Sequence, residues 1–363
     1  MATIAEKLTA ISEAKEAIKV AIESKGVEVA NAPLAQYADK INAIEVGGES
    51  GGGGESTPQY TGHADVEGLK AIGWDDDDIA FFQKYGVDWN EEDDEIYKLN
   101  DTDKSMYGAI NASNLSNYKG RYVRYMPKFS IAGRTSLSFS GFSKLIGLPI
   151  LDTSAFTTME SMFSGCYSLK VLPPLKYDNA TSLKSMCNEC YCLRSSYDIY
   201  APKATTINGA FMKCYSLAEV GKIDAPLATD VGALYNNCHA LRVVKPILTP
   251  NASSYSAIFN YSYAINRVEE IDFSMITTMP NAFIDYAYGL EFVGVKNLAC
   301  NYNFSNTFHS NISKACVIYM INNEAATAPI TIKLGVLAYN AIKNDAEVLE
   351  ALARHPNVSL ASA

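Results

Sequence analysis

The sequence predicts an α+β protein that combines an N-terminal helical hairpin or coiled coil, a small helical block, a solenoid of 24-residue coils and a C-terminal αβ cap. Three observations predict this class. Apolar residues recur at helical spacing near the N-terminus, a glycine-rich stretch follows residue 46, and one sequence pattern recurs every 24 residues from about residue 130. A fixed period of this length is typical of architectures in which each unit stacks on its neighbours.

Composition and charge restrict the classes of function. The chain has 363 residues, of which 48% are hydrophobic and 19% charged, and its formal net charge is -10 at pH 7. These fractions are normal for a soluble folded protein. The acidic balance argues against a nucleic-acid partner, because phosphate binding needs a basic surface. No apolar run has the length of a membrane span, and the first residues lack the pattern of a signal peptide, so we expect synthesis in a cytoplasm and no membrane insertion.

Residues 1–46 are predicted to form a helical module for attachment or oligomerisation. A helix over 3–25 carries an apolar seam at alternating three- and four-residue steps, and a second short helix follows Pro33. The seam residues are Ile4, Leu8, Ile11, Ile18 and Ile22. Isoleucine at both kinds of seam position favours a homotrimer. A hairpin that packs only on itself is the alternative.

Residues 47–60 are predicted to be a linker and residues 61–130 an acidic helical block. The stretch "GGESGGGGES" has the composition of a flexible tether. In "WDDDDIAFFQKYG" we expect Asp75 to cap a helix whose apolar face includes Ile79 and Phe82. A second helix, capped by Asn90, follows in "DWNEEDDEIYKL". The four aspartates lack the spacing of an EF-hand loop, so helix capping is the preferred interpretation over calcium binding.

Residues 131–320 are predicted to form the solenoid. Four segments align without a gap, and each begins 24 residues after the previous one: "TTMESMFSGCYSL" (157–169), "TSLKSMCNECYCL" (181–193), "TTINGAFMKCYSL" (205–217) and "TDVGALYNNCHAL" (229–241). Two more, at 253–265 and 277–289, keep the register and lose the cysteine. A degenerate first coil begins near residue 133, and a last coil that matches the pattern only in part lies around residue 308. Apolar residues that follow the recurring leucine of each repeat at three-residue steps, such as Val220 and Ile223, are expected to point inward.

Residues 321–363 are predicted to cap the array. "ITIKLG" reads as a strand, residues 336–354 as one helix, and "VSLA" as a closing strand. We expect four residues of this helix to point inward: Leu337, Ile342, Leu349 and Leu352.

The repeat resembles a known family. The pattern "TTMESMFSGCYSLKVLPPL" is similar to the BspA-like leucine-rich repeats of bacterial and phage surface proteins, which share an F-x-x-C-x-x-L core and a proline-containing strand. The likeness covers roughly residues 130–320. Residues 1–46 resemble the N-terminal module of tail fibres and other appendages of phages that infect Bacteroidetes-type gut bacteria. The segment "GLKAIGWDDDDIAFFQKYGVDWNEEDD" is similar to one that precedes the repeats in such proteins.

This resemblance implies a phage virion fibre or spike. Residues 1–46 would attach to other virion proteins, and the leucine-rich-repeat solenoid would contact a receptor or glycan on the host surface. Localisation in the virion follows from the same resemblance, and the missing signal peptide favours a phage protein. Two alternatives stay open: a bacterial cell-surface adhesin of the same repeat family, or a purely structural decoration of the virion.

Eight cysteines raise the question of metal or redox chemistry, especially in "CNECYC" (187–192). In register, Cys190 falls on a ladder with Cys166, Cys214 and Cys238, and Cys187 takes a slot that other coils fill with a large aromatic residue. A single C-x2-C pair does not complete a zinc site, and buried thiols are preferred over disulfides on geometric grounds. We therefore expect no metal and no cofactor.

Motifs of the common catalytic sites do not occur in the sequence. Cys238 and His239 are neighbours whose side chains are expected to diverge, and Asp272 and Asp285 are expected to be solvated or to form turns. The sequence therefore favours a protein that is not an enzyme.

The position after the ladder cysteine is the best candidate for a binding surface. It is aromatic in five successive coils: Tyr167, Tyr191, Tyr215, His239 and Tyr263. Regular stacking would place these residues in one stripe, and tyrosine suits the recognition of a host cell-surface glycan or protein. The alternative is a ladder that only covers the edge of the coils.

Overall fold

The structure is a computed structural model that describes residues 65–85, 101–304 and 312–362. These residues belong to one unit, Tyr60–Ala363. The predictions for the 1–46 module with its isoleucine seam, the linker 47–60, the helix capped by Asn90 and the last coil around residue 308 lie outside the described residues.

The described ranges contain short helices and short parallel strands. The helices are α1 (Val66–Ala71), α2 (Asp76–Tyr85), α3 (Asp101–Gly108), a 3-10 turn (Leu115–Tyr118), α4 (Lys314–Asn322), α5 (Val336–Ile342) and α6 (Ala346–Arg354). The strands are β1 (Ile199–Tyr200), β2 (Ile223–Asp224), β3 (Val243–Val244), β4 (Ile247–Leu248), β5 (Arg267–Asp272), β6 (Phe292–Lys296), β7 (Tyr302–Phe304), β8 (Ile330–Leu334) and β9 (Val358–Ser362). None of these helices has both the length and the apolarity that crossing a bilayer requires.

The helix α2 begins with the predicted cap. The backbone N–H of Asp78 donates to Oδ1 of Asp75 at 3.0 Å, and the N–H of Asp75 donates back to Oδ2 of Asp78 at 3.0 Å. This reciprocal pair satisfies two backbone donors at the helix end. Lys128 binds both carboxylates, so one ammonium group offsets part of their negative charge. Hydrogen bonding to Lys128 lowers the pKa of Asp75 to about 2. Helix capping by Asp75 is confirmed.

The helical block shares its hydrophobic core with the first coil. Ile79 and Phe82 are buried, as predicted. The indole N–H of Trp74 donates to the backbone carbonyl of Met126 at 2.8 Å. A Cβ on Gly147 would lie 2.5 Å from the ring of Phe82, so glycine is needed for the close approach of the two segments. The boundary drawn near residue 130 therefore does not separate two cores.

Parallel pairing joins successive segments at the spacing seen in the sequence. Ile199, Ile223, Ile247 and Ile271 form one row of paired positions, with one member from each successive repeat. A second row is made by threonines, in which each N–H donates to the carbonyl of the equivalent threonine in the preceding repeat, as from Thr181 to Thr157 at 2.9 Å. Most residues expected to point inward, including Val220 and Ile223, are buried, whereas Leu175 is half-buried. Each segment thus covers the apolar side of its neighbour.

One repeat departs from the period. Up to Ile276, equivalent backbone hydrogen bonds within the turns recur at the period of the sequence pattern. Beyond it, Tyr286 stacks on Tyr261 and Tyr288 on Tyr263. The residues of each pair are one position further apart in sequence than the period. The alignment of 277–289 in unbroken register is therefore wrong, because one extra residue precedes the turn.

The following strand restores the register. Val268 pairs with Val293, one residue beyond the period, but Ile271 pairs with Val295, which lies at the period itself. The strand β5 therefore carries a bulge that absorbs the extra residue.

The C-terminal cap differs in part from its prediction. The strands β7, β8 and β9 form a parallel three-stranded sheet, which confirms the strands at 330–335 and at "VSLA". The single helix over 336–354 is wrong, because Asp345 caps a second helix, α6. Leu337 is 74% exposed and Leu349 49% exposed, so neither points inward. Ile342 is buried, and Leu352 is half-buried.

Candidate functional site

The five predicted aromatic residues form one continuous stack. Ring centroids are 4.7 Å apart for Tyr167 and Tyr191, 4.8 Å for Tyr191 and Tyr215, 4.8 Å for Tyr215 and His239, and 5.0 Å for His239 and Tyr263. The stack continues from Tyr263 to Tyr288 at 5.6 Å. We call these six residues the aromatic stripe. Sequence reasoning missed Tyr288, because the extra residue before it hides the match.

Backbone bonds next to the stripe set its spacing. The N–H of Cys192 donates to the carbonyl of Tyr167, that of Ser216 to Tyr191, and that of Ala240 to Tyr215, each at 3.1 Å. These bonds hold neighbouring segments at the separation of paired strands, about 4.8 Å. Since ring stacking prefers centroid separations from about 4.5 Å upward, the backbone places the rings in direct contact.

A second row of side chains flanks the stripe, two residues earlier in each repeat. Its members all have left-handed backbone, with φ between 59° and 64°: Glu189, Lys213, Asn237, Tyr261 and Tyr286. We call them the flanking row. Lys213 and Glu189 form an ion pair at 2.6 Å. Tyr261 and Tyr286 stack at 4.5 Å and meet the stripe edge-on. The 24-residue register was the signal that could have identified this row.

Two members of the stripe, Tyr191 and His239, are uncharged near pH 7. Partial burial raises the pKa of Tyr191, and the negative charge of Glu189 raises it further. Proximity to Tyr261 raises the pKa of Tyr286. Burial lowers the pKa of His239, so its imidazole is uncharged at neutral pH. The phenols of Tyr191 and Tyr286 therefore keep their protons and can donate hydrogen bonds. The ion pair of Lys213 with Glu189 places formal charges beside the stripe.

Stacking determines which part of each ring can meet a ligand. In the middle of the stripe both faces of a ring are covered by its neighbours at contact distance. The outer edges remain open, since Tyr215 and Tyr263, which have a ring on each face, are 36% and 40% exposed. The stripe therefore offers a row of ring edges and phenol groups at strand spacing, which suits an extended ligand that lies along the row.

The ladder cysteines lie inside the repeats, away from the stripe. Each buried thiol donates to a carbonyl 27 residues earlier: Cys166 to Phe139, Cys190 to Phe163, Cys214 to Cys187 and Cys238 to Phe211, at 3.1–3.2 Å. Where the cysteine is lost, Ser262 makes the same bond to Tyr235 at 2.6 Å. Cys187 is also fully buried. "CNECYC" thus contributes two interior thiols and one exposed thiol, Cys192.

This division predicts selective thiol chemistry. All eight cysteines are free, and only Cys192 is exposed. Burial raises the pKa of Cys214, and it raises that of Cys316 to about 12, which suppresses the reactive thiolate. We expect dithionitrobenzoate to label one thiol of the native protein quickly and the other seven on the order of 100-fold more slowly, through opening of the fold.

A matched variant assigns the fast phase. Cys192→Ser is expected to abolish it, and Cys190→Ser to leave it intact, with release of the coloured thiolate followed by its absorbance in both cases. Rapid labelling of more than one cysteine in the native protein would contradict the interior placement of the ladder.

The other candidate groups do not form a catalytic site. The thiol of Cys238 points inward, whereas the ring of His239 lies in the stripe, so these side chains diverge as predicted. Asp272 accepts the N–H of Ser274 in a turn, as expected. No cluster of three or more His, Cys, Asp or Glu side chains with the geometry of a metal site occurs within the described residues.

Two grooves lie outside the stripe. One, of about 600 Å³, contains two carboxylates, Glu269 and Glu347, and each of them is ion-paired with a lysine. The other, of about 640 Å³, is lined mainly by hydroxyl groups and includes Lys119 and Arg134. Neither groove brings two unpaired carboxylates together.

Comparison with known proteins yields no relative. No protein-family model matches the chain, and no curated protein and no solved structure is significantly similar to it.

Proposed function

We propose that this protein is a recognition protein of a phage virion and not an enzyme. The aromatic stripe on a leucine-rich-repeat solenoid would bind an extended glycan or protein segment of the host surface. The single observation that supports this function is the unbroken stack of six aromatic residues along one exposed edge of the repeats.

The composition of the stripe favours recognition over simple coverage of the edge. A covering ladder needs only apolar side chains, but five of the six stripe positions are tyrosines with polar tips. Tyrosine offers a large and stiff contact area at a low entropic cost on binding, because few of its bonds rotate. The flanking row adds an ion pair and two further tyrosines along the same edge. Both kinds of group suit a ligand with alternating polar and apolar parts.

The virion setting is supported by the sequence resemblance. Residues 1–46 would attach to other virion proteins as a homotrimer, and the linker 47–60 would give reach. Immunogold labelling of purified particles tests this setting, because a fibre gives label on the particle, at the capsid or the tail. Label on the bacterial envelope alone would favour the adhesin alternative.

The recognition role predicts a loss of binding when the stripe is interrupted. We expect the double variant Tyr191→Ala, Tyr215→Ala to bind host cells roughly 30- to 1000-fold more weakly, since central tyrosines of an interface contribute about 1–2 kcal/mol each. Flow cytometry with the fluorescently labelled chain on a panel of Bacteroidetes-type strains measures this loss.

The control is Tyr200→Ala. Tyr200 is 58% exposed and lies outside the stripe, so this variant is expected to bind like the parent protein. Unchanged binding of the double variant, with its thermal transition preserved, would favour the alternative in which the protein only decorates the virion.

A further inference from the structure

The stripe ends at Tyr167, which has an aromatic ring of the described residues against only one of its faces. Tyr167 stacks on Tyr191 with its plane inclined by only 3°, and Tyr191 is its one ring contact among the described residues. The equivalent position one repeat earlier is Ser143, whose side chain is too short to reach the next rung of the stack. One place in the stack, at the outer face of Tyr167, is therefore not filled by an aromatic ring.

The flanking row has no side chains beside Tyr167. Its positions there are Gly141 and Gly165, with φ of 83° and 74°. Later repeats hold Glu189, Lys213 and Asn237 in the same left-handed conformation, so the backbone alone does not impose glycine. What distinguishes these two positions is the absence of a side chain.

The lack of side chains at Gly141 and Gly165 leaves open space beside Tyr167. A Cβ on Gly141 would meet no atom within 4 Å. A Cβ on Gly165 would lie 3.8 Å from Cε1 of Tyr167, so a side chain there would project toward the tyrosine ring. The two glycines form a bare shelf beside the outer face of Tyr167.

The backbone of the shelf is held in place. The N–H of Gly141 donates to the carbonyl of Ser164, and that of Gly165 to Asn188, both at 2.8 Å. The hydroxyl of Ser168 donates to the carbonyl of Ser143 at 3.0 Å. A ligand would therefore meet a surface that needs little ordering on binding, which favours affinity.

We propose that a pyranose ring of a surface glycan binds here as the missing rung of the stack. Its apolar C–H face would lie on the outer face of Tyr167, and its equatorial hydroxyls would extend over the glycine shelf toward the hydroxyl of Ser143. A pyranose fits better than an aromatic side chain of a protein partner, because Ser143, Gly141 and Gly165 offer a hydroxyl and backbone polar groups on this side of the ring. This inference rests on the proposed recognition function and names its ligand class.

The test uses the full chain and single sugars. Methyl β-D-galactopyranoside and methyl β-D-glucopyranoside are titrated separately, with binding followed by saturation-transfer NMR. We expect binding in the millimolar range, typical of one stacking contact. Tyr167→Ala removes the platform and Ser143→Tyr fills the rung with a side chain, so each is expected to weaken binding at least about tenfold. Tyr200→Ala, at an exposed tyrosine outside the stripe, is expected to leave it unchanged.

The outcomes separate this inference from the function on which it rests. Failure of both glycosides to bind the parent chain, or equal binding to Tyr167→Ala, overturns the pyranose site. So does binding of p-cresol, a mimic of a tyrosine side chain, with no binding of either sugar. If host cells still require Tyr191 and Tyr215 while both glycosides fail, the recognition function stands and only the pyranose site is lost.

Discussion

Replacing Gly221 with alanine is expected to destabilise the protein by about 3 kcal/mol, because the added carbon has no space. A Cβ at this position would lie 2.2 Å from the amide nitrogen of Asp198 and 2.2 Å from the carbonyl carbon of Tyr197. Both atoms belong to the backbone of the neighbouring repeat, so a side-chain rotation cannot relieve the overlap. The two segments must move apart.

The damage is expected to be greatest at one junction between repeats. The N–H of Gly221 donates to the carbonyl of Ser196 at 3.0 Å, next to the pairing of Ile199 with Ile223. In stacked repeats each unit is stabilised mainly by its neighbours, so a weakened junction lowers the cooperativity of unfolding. Hydrogen exchange should show faster exchange for the amide of Ile199 than in the parent protein.

Urea unfolding followed by circular dichroism measures the change in free energy. Gly108→Ala is the control, because a Cβ there would meet no atom within 4 Å, and its effect is expected within about 0.5 kcal/mol. A Gly221 variant as stable as the Gly108 variant would show that these repeats do not approach as closely as described.

The repeats were predictable because their signal accumulates over many copies. A 24-residue period in the positions of Cys166, Cys190 and Cys214 fixes which side chains share a row, and pairing then brings Tyr167 beside Tyr191. Each row is held by backbone bonds that do not depend on the particular side chain. Five of the six stripe residues could be named in this way.

Features that occur once could not be predicted in the same way. The extra residue before Tyr288 leaves the local sequence pattern almost unchanged. The stacked tyrosines show that the register shifts, and the bulge in β5 shows where it returns. In the cap, Asp345 caps a second helix, α6. The residues of α6 therefore do not continue the buried face of α5, and Leu349 points outward. The helix α4 was not predicted, because the sequence around residue 308 was interpreted as a degenerate last repeat of the solenoid.

The second large effect concerns Asp78, a buried carboxylate that joins the helical block to the repeats. Its Oδ1 accepts the N–H of Ile150 at 2.8 Å, and its Oδ2 accepts the N–H of Asp75 at 3.0 Å and binds Lys128 at 2.8 Å. The carboxylate is 1% exposed. A buried charge with this many partners costs little, whereas removing it leaves the partners without an acceptor.

Asp78→Ala is therefore expected to lower the free energy of unfolding by about 2–4 kcal/mol. The loss should separate α2 from the first coil before the repeats unfold, because the bond to Ile150 crosses between them. Limited proteolysis at low denaturant should then cleave the helical block first and leave a core of repeats. The parent protein should resist cleavage until its main unfolding transition.

Two variants distinguish the buried bonds from charge alone. Asp77→Ala removes an exposed carboxylate from the same turn of α2, and its effect is expected within about 0.5 kcal/mol. Asp78→Asn keeps an oxygen that can accept the N–H of Ile150 but loses the ion pair with Lys128, so its effect should fall between those of the two alanine variants. If Asp77→Ala and Asp78→Ala are equally stable, the block is joined to the repeats by its apolar contacts, such as that of Phe82 with Gly147, and the carboxylate adds nothing to the junction.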